Sequence, residues 1–145
     1  KGTGRNLSFL SIDCQGMEED MFCRELYLDE YTSKHFRSIR KKLKNRTVQP
    51  GIYVIVLSRN TGNVEYMHNA FLCQKYYQDN PPFVIGLAHS RDSVLDMIQG
   101  MLTETYQTRG DYDLRAYLKE KTERLSHKKA GRYHINLFRR EEKKC

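Results

Sequence analysis

The chain has 145 residues and a formal net charge of +7, with 39% hydrophobic and 30% charged residues. This size and composition fit one globular domain over residues 1–145. The ten tyrosines and six phenylalanines can anchor a core and argue against a chain that is unstructured throughout. No apolar run approaches the roughly 20 residues that cross a bilayer, so no membrane partner is predicted. The ends, residues 1–6 and 139–145, are expected to be mobile.

The first half of the chain is predicted to contain two strands separated by a long helical region. Residues 7–12 alternate in the manner of a strand. Apolar side chains at helical spacing predict a helix over residues 17–31, and residues 33–46 extend the helical region. Residues 52–57 are apolar on both faces, which is typical of a central strand.

A hairpin and a buried strand are predicted next. Turn-forming residues at positions 60–63 indicate that residues 64–68 return antiparallel to the strand before them. Residues 69–79 fit either a strand or a short helix. Residues 83–88 follow a pair of prolines and are apolar throughout, so they form a second buried strand.

Two helices and a last strand complete the predicted order. Ser90 is expected to cap a helix that ends at Gly110, and Asp111 is expected to cap the helix after it. Residues 132–138 alternate as a strand. This order predicts an α+β fold: a single mixed, mostly antiparallel sheet of about five strands with helices packed mainly on one face.

The charge excess of the chain is confined to one segment. Residues 33–46 contain seven basic side chains and no acidic one, and the other 18 basic residues are balanced by 18 acidic residues. On a helix, four of the cations fall within one stripe opposite the apolar side chains: Lys34, Arg37, Lys41 and Lys44. A localised positive field attracts polyanions, so these four residues are the predicted polyanion-binding site, with a nucleic acid or an acidic protein as partner.

The same charge arrangement has a structural explanation that needs no ligand. Glu18, Glu19 and Asp20 lie near the start of the predicted helical region, and the cations lie near its end. The helix macrodipole favours this gradient with or without a partner.

A second candidate site lies where two predicted strands end. Asp13 follows the first strand, and His89, Ser90 and Arg91 follow the strand over residues 83–88. If the two strands are parallel neighbours, these groups meet at one edge of the sheet, where they would suit a small anion or a hydrolytic reaction. Helix caps and turns account for the same residue types without any ligand.

No motif for catalysis, a metal or a cofactor is recognisable. Phosphate-loop, dinucleotide-binding and nucleophile-elbow patterns do not occur, and the cysteines and histidines lack zinc-site spacing. No catalytic residue, metal or cofactor is therefore predicted. Without paired spacing, the four cysteines are interpreted as reduced thiols of a cytoplasmic protein.

These features favour a non-catalytic binding or assembly module with a basic helical surface. Two alternatives stay open. One is a protein–protein interaction domain, including a homo-oligomer, that uses an aromatic face made by Tyr66, Phe71, Tyr76 and Tyr77. The other is a small-anion-binding protein or hydrolase with its site near Asp13 and His89.

Overall fold

The computed structural model describes residues 21–58, 61–126 and 133–139. Five strands lie within these ranges: β1 (Phe22–Asp29), β2 (Tyr53–Leu57), β3 (Val64–His68), β4 (Phe83–Ala88) and β5 (His134–Phe138). They form one sheet in the order β3-β2-β4-β1-β5. The predicted α+β class with one mixed five-stranded sheet is confirmed.

The described part of the chain also contains five α-helices and one 3₁₀ helix. The α-helices are α1 (Glu30–Lys34), α2 (Phe36–Lys44), α3 (Lys75–Asp79), α4 (Arg91–Arg109) and α5 (Leu114–Ser126), and the 3₁₀ helix is Asn69–Cys73. The segment 69–79, for which the sequence allows a strand or a helix, is thus mostly helical. The hairpin of β2 and β3 is confirmed, with Tyr53 opposite His68.

The sheet contains two parallel and two antiparallel strand pairs. β1 runs parallel to both of its neighbours, β4 and β5, whereas β2 runs antiparallel to β3 and β4. The parallel share is larger than the sequence predicts because the interior strand β1 falls in a region for which a helix is expected.

The prediction of a helix over residues 17–31 is wrong for Phe22–Asp29, whereas Glu30 and Tyr31 do lie in a helix, α1. Residues Phe22–Asp29 form a strand that is buried along its whole length. A spacing of four places Phe22 and Leu26 on one side of either a helix or a strand, so this pair does not distinguish the two. Because both faces of β1 are covered, the polar alternation that marks a half-exposed strand is missing.

Side chains alternate along the strands and pack into two separate cores, one on each face of the sheet. On one face, Leu26 and Val54 pack with Ile39 and Leu43 of α2. The other core lies beneath the two long helices and includes Ile55, Ile85, Val94, Met97 and Leu118. The two long helices α4 and α5 therefore share one face, as predicted, while α2 closes the opposite face.

The ends of α4 and α5 show which capping predictions hold. Ser90 caps α4 by accepting a hydrogen bond from the Ser93 N–H at 3.1 Å, and Gly110 ends the helix at φ 86°, a left-handed conformation that glycine tolerates. The predicted cap at Asp111 is wrong. Asp113 accepts from the Ala116 N–H at 3.1 Å, whereas Asp111 is paired with Arg109.

Candidate nucleic-acid interface

The basic stripe of the sequence lies on the solvent side of α1 and α2. Lys34, Arg37, Lys41 and Lys44 are all exposed, as is Lys42 beside them. On the opposite side, Ile39 and Leu43 are buried in the core under the sheet. None of the five exposed cations forms an ion pair within the described ranges.

The remaining two cations of the basic segment have structural contacts. Arg40 Nε donates to the hydroxyl of Tyr133 at 3.2 Å, and Arg46 Nη1 donates to the carbonyl of Leu72 at 2.9 Å. The sequence does not distinguish these two arginines from the free cations, because their partners lie far along the chain. Five of the seven basic side chains are therefore exposed and without an ion pair in the described part of the chain.

The single-helix explanation for the charge gradient does not hold. The strand β1 stands between residues 18–20 and α2, and Glu18, Glu19 and Asp20 themselves lie outside the described residues. The first turn of α2 contains no acidic residue. Its last turn does carry Lys41, Lys42 and Lys44, which the helix dipole favours. Lys34 lies in the last turn of α1, where the same effect applies, so the dipole leaves Arg37, in the first turn of α2, unexplained.

The loop after α2 is fixed by one buried side chain. The Asn69 amide donates to the carbonyls of Gln49 and Ile52 at 2.6 and 2.7 Å, and its oxygen accepts from the Gln49 N–H at 2.8 Å. Gln49 in turn donates from Nε2 to the carbonyl of Ile39 at 3.2 Å. These bonds join the loop after α2 to the middle of that helix and to the residue before the strand that follows.

Exposed aromatic rings lie near the carboxyl end of α2. The bond from Arg46 to Leu72 joins that end to the 3₁₀ helix, whose Phe71 is 49% exposed, and Tyr76 of α3 is 60% exposed. The four predicted aromatic residues do not form one face, however. Tyr66 packs against the core beneath α4 and Tyr77 against the core beneath α2, on opposite sides of the sheet.

A second group of exposed rings lies at the amino end of the basic stripe. The ring of Tyr31 stacks on His89 with a centroid distance of 4.3 Å and an angle of 26°, and it contacts His35 at 4.4 Å. Tyr31 is 43% exposed, and both histidines are exposed. We call Tyr31, His35 and His89 the ring group.

The backbone on both sides of the ring group is anchored by Asp29. Its Oδ1 accepts from the Thr32 N–H at 2.9 Å in a capping box that starts α1, and its Oδ2 accepts from the His89 N–H at 2.9 Å. Asp29 is therefore the carboxylate that ends a strand beside His89. Asp13, which the sequence suggests for this place, lies outside the described residues.

The ring group lies at a switch point of the sheet. The chain leaves β1 towards α2 on one face and leaves the parallel neighbour β4 towards α4 on the other. Where neighbouring parallel strands connect to opposite faces, a crevice opens outside their carboxyl ends, and ligands commonly bind there. His89, Ser90 and Arg91 are all at this edge, although Ser90 caps α4 and Arg91 Nε donates to the Tyr66 hydroxyl at 3.3 Å.

A charged cluster beneath α5 is the main alternative place for chemistry. Lys121 Nζ lies 3.1 Å from Glu104 Oε2, 3.4 Å from Glu25 Oε1 and 3.1 Å from the Tyr27 hydroxyl. Burial raises the pKa of both carboxyl groups, but their hydrogen bonds and the lysine charge outweigh it and hold each pKa below its ordinary value. Burial likewise lowers the pKa of Lys121, yet its partners raise it overall.

These pKa shifts fit a structural cluster. A general base or an amine nucleophile needs a pKa near neutrality, and the three charged groups are shifted away from it. A cavity of about 290 Å³ nearby is lined by Cys23, Thr122 and Lys119. Burial raises the pKa of the Cys23 thiol to about 11, so the thiolate that a nucleophile requires is scarce.

Comparison with known proteins gives no information about the class of this protein. The chain matches no family model, no curated protein and no solved structure. Over the described ranges, no helix combines the length and the apolar character needed to cross a membrane. Those same ranges hold no group of three or more His, Cys, Asp or Glu side chains arranged to bind a metal ion.

Proposed function

We propose that this protein is a non-catalytic nucleic-acid-binding module that contacts the phosphate backbone through the basic stripe of α1 and α2. The observation that carries the proposal is the set of five exposed cations without an ion pair in the described residues: Lys34, Arg37, Lys41, Lys42 and Lys44. An ordinary mixed surface intersperses acidic side chains, whereas α2 has none and the one acidic residue of α1, Glu30, is paired with Arg139.

The dimensions of the stripe suit a phosphate backbone. From Lys34 to Lys44 the helical rise of about 1.5 Å per residue gives a length of about 15 Å. A strand of a duplex presents one phosphate about every 3.4 Å along the axis, so the stripe faces about four phosphates. Each neutralised phosphate releases counterions, which makes the affinity depend on salt.

The neighbouring aromatic rings favour a nucleic acid over an acidic protein. Exposed rings lie near both ends of the stripe, with Tyr31 at one end and Phe71 at the other. Basic grooves combined with rings are typical of proteins that bind nucleic acids, since bases stack on aromatic faces. An acidic protein needs only the charges.

The test is a fluorescence-anisotropy titration of the full chain with labelled oligonucleotides at several salt concentrations between about 50 and about 200 mM. We expect log K to fall linearly with log salt. In the double variant Lys41→Gln and Lys44→Gln, two contacts are lost, so the slope should become shallower by about 1.4 for a single strand. Glutamine keeps the helix propensity and places no anion at the carboxyl end of α2.

A matched control variant distinguishes the effect of the basic stripe on binding from the effect of the net charge. Lys119→Gln with Arg124→Gln removes the same two charges from exposed positions of α5, on the opposite face of the sheet. The control should keep the wild-type slope. Equal losses in both doubles, or binding that ignores salt, would refute the proposal. Polyglutamate binding as tight as oligonucleotide binding would instead indicate an acidic protein partner.

A further inference from the structure

The ring group offers a binding surface that the phosphate contacts do not use. Its three side chains come from two separate parts of the chain, yet the ring of Tyr31 stacks on His89 at 4.3 Å and meets His35 in a tilted contact at 4.4 Å. Tyr31 is 43% exposed in this arrangement. A large exposed ring is ordinarily mobile, whereas here Asp29 fixes the backbone on both sides of the group.

The ring group continues directly into the basic stripe. Side chains three and four residues apart are neighbours on a helix surface, and backbone hydrogen bonds from His35 to Tyr31 and from Ile39 to His35 carry the helical path across the short break between α1 and α2. The exposed residues His35, Ser38 and Lys42 therefore form one row, with Lys34 and Lys41 beside it. A ligand bound to the rings would therefore place its neighbouring negative charges over these lysines.

We propose that the nucleic acid is single-stranded and that one of its bases stacks on the ring group while its phosphates follow the lysines. The inference rests on the proposed function and adds the class of nucleic acid to it. Every base has a π-face, so such stacking needs no particular sequence. In a duplex the bases are already stacked and paired, so their faces are not available to stack on the ring group.

The position of the ring group is consistent with this ligand. It lies at the carboxyl ends of β1 and β4, where the connections to α2 and α4 diverge to opposite faces. An unpaired base can reach the exposed rings at this edge and present its face to them. Arg91 lies at the same edge and is exposed.

The test compares three probes of one sequence: a single strand of about a dozen nucleotides, the matching duplex, and the same single strand with abasic sites. Wild-type protein should bind the single strand most tightly. Tyr31→Ala should weaken single-strand binding by at least about fivefold, because stacking on a ring is worth that much per base. Its binding to the duplex and to the abasic strand should change little.

Two further variants distinguish stacking from a general structural loss. Tyr31→Phe keeps the ring and should bind as the wild type does. His89→Ala removes a ring but keeps the backbone N–H that Asp29 accepts, and it should weaken single-strand binding selectively. In Tyr31→Ala the salt slope should stay at the wild-type value, since the phosphate contacts remain.

The possible failures are distinct. If the wild type shows salt-dependent binding with equal affinity for the duplex and the single strand, the inference is wrong and the proposed function stands. The same holds if Tyr31→Ala, folded by circular dichroism, keeps full single-strand affinity or loses as much for the abasic strand. If no probe binds in a salt-dependent manner, both are wrong.

Discussion

Replacing Lys121 by methionine tests the charged cluster beneath α5. The ammonium group donates to Glu104, to the hydroxyl of Tyr27 and to the side-chain oxygen of Asn136, at distances of 3.1, 3.1 and 3.3 Å. Methionine fills a similar volume and keeps the contact with the neighbouring rings. The change therefore removes the positive charge with little loss of packing.

The expected loss of stability follows from what the change leaves behind. Removing one partner of a buried ion pair costs about 3–5 kcal/mol, since the remaining charge has no compensation. Glu25 is buried but keeps bonds from Asn136 and His134, and Glu104 is 38% exposed and can be hydrated. We therefore expect the lower end, about 3 kcal/mol, which for a domain of this size lowers Tm by about 6–12 °C.

The free energy of unfolding should depend on pH because of the charged groups in this cluster. Glu25 and Glu104 have pKa values held below the ordinary 4.5 in the folded state. Their contribution to stability is therefore present above pH 4.5 and is lost as the pH falls through the folded values. Lys121, whose pKa is raised above 10.5, keeps its contribution until the pH passes that value. The difference between wild type and variant should be full near pH 7 and shrink in acid.

The assay is urea unfolding followed by circular dichroism at several pH values, with Lys119→Met as the control. Lys119 is exposed on the same helix, so its replacement should change the free energy of unfolding by no more than about 0.5 kcal/mol. The reasoning is refuted if Lys121→Met costs no more than the control. A loss that is the same in acid as at pH 7 would refute the charge explanation in particular.

Two more predictions concern buried polar groups. Asn69→Ala should lower the free energy of unfolding by about 2–4 kcal/mol, because the carbonyl and the N–H of Gln49 lose their buried partner and the carbonyl of Ile52 keeps only the backbone N–H of residue 69; urea unfolding measures the loss, and a change below about 1 kcal/mol would contradict it. With the two cysteines outside the described residues replaced by serine, maleimide at pH 8 should label Cys73 well before Cys23, which is 2% exposed and whose pKa is raised to about 11. Mass spectrometry of the labelled peptides gives both rates, and equal rates would contradict this prediction.

The parts of the fold that follow from local chemistry were predictable. The strand Tyr53–Leu57 and its hairpin partner follow from an apolar run and turn residues between the two strands. The start and end of α4 follow from a capping serine and a glycine in a left-handed conformation. These signals lie within a few residues of the structure that they specify.

The sequence does not predict the strand β1 because both of its faces are buried. Its residues carry the side chains of two cores at once, so no polar face marks the period of a strand. Because the sequence predicts a helix here, it does not indicate Asp29 as the carboxylate beside His89. The useful signal was the high content of apolar and aromatic residues over Phe22–Asp29, but helical spacing fitted the same residues.

The sequence by itself determined the location of the charge. Seven basic residues within 33–46 account for the whole net charge, and helical periodicity alone separates Lys34, Arg37, Lys41 and Lys44 from the apolar side of α2. Tertiary structure decided which cations are free, since Arg40 and Arg46 have partners far along the chain. It also brought Tyr31 and His89 together, because only the parallel pairing of β1 with β4 places strand ends nearly 60 residues apart at one edge. The location of the charge follows from local periodicity. The partners of the two arginines and the contact between Tyr31 and His89 follow from long-range pairing, for which the local sequence carries no signal.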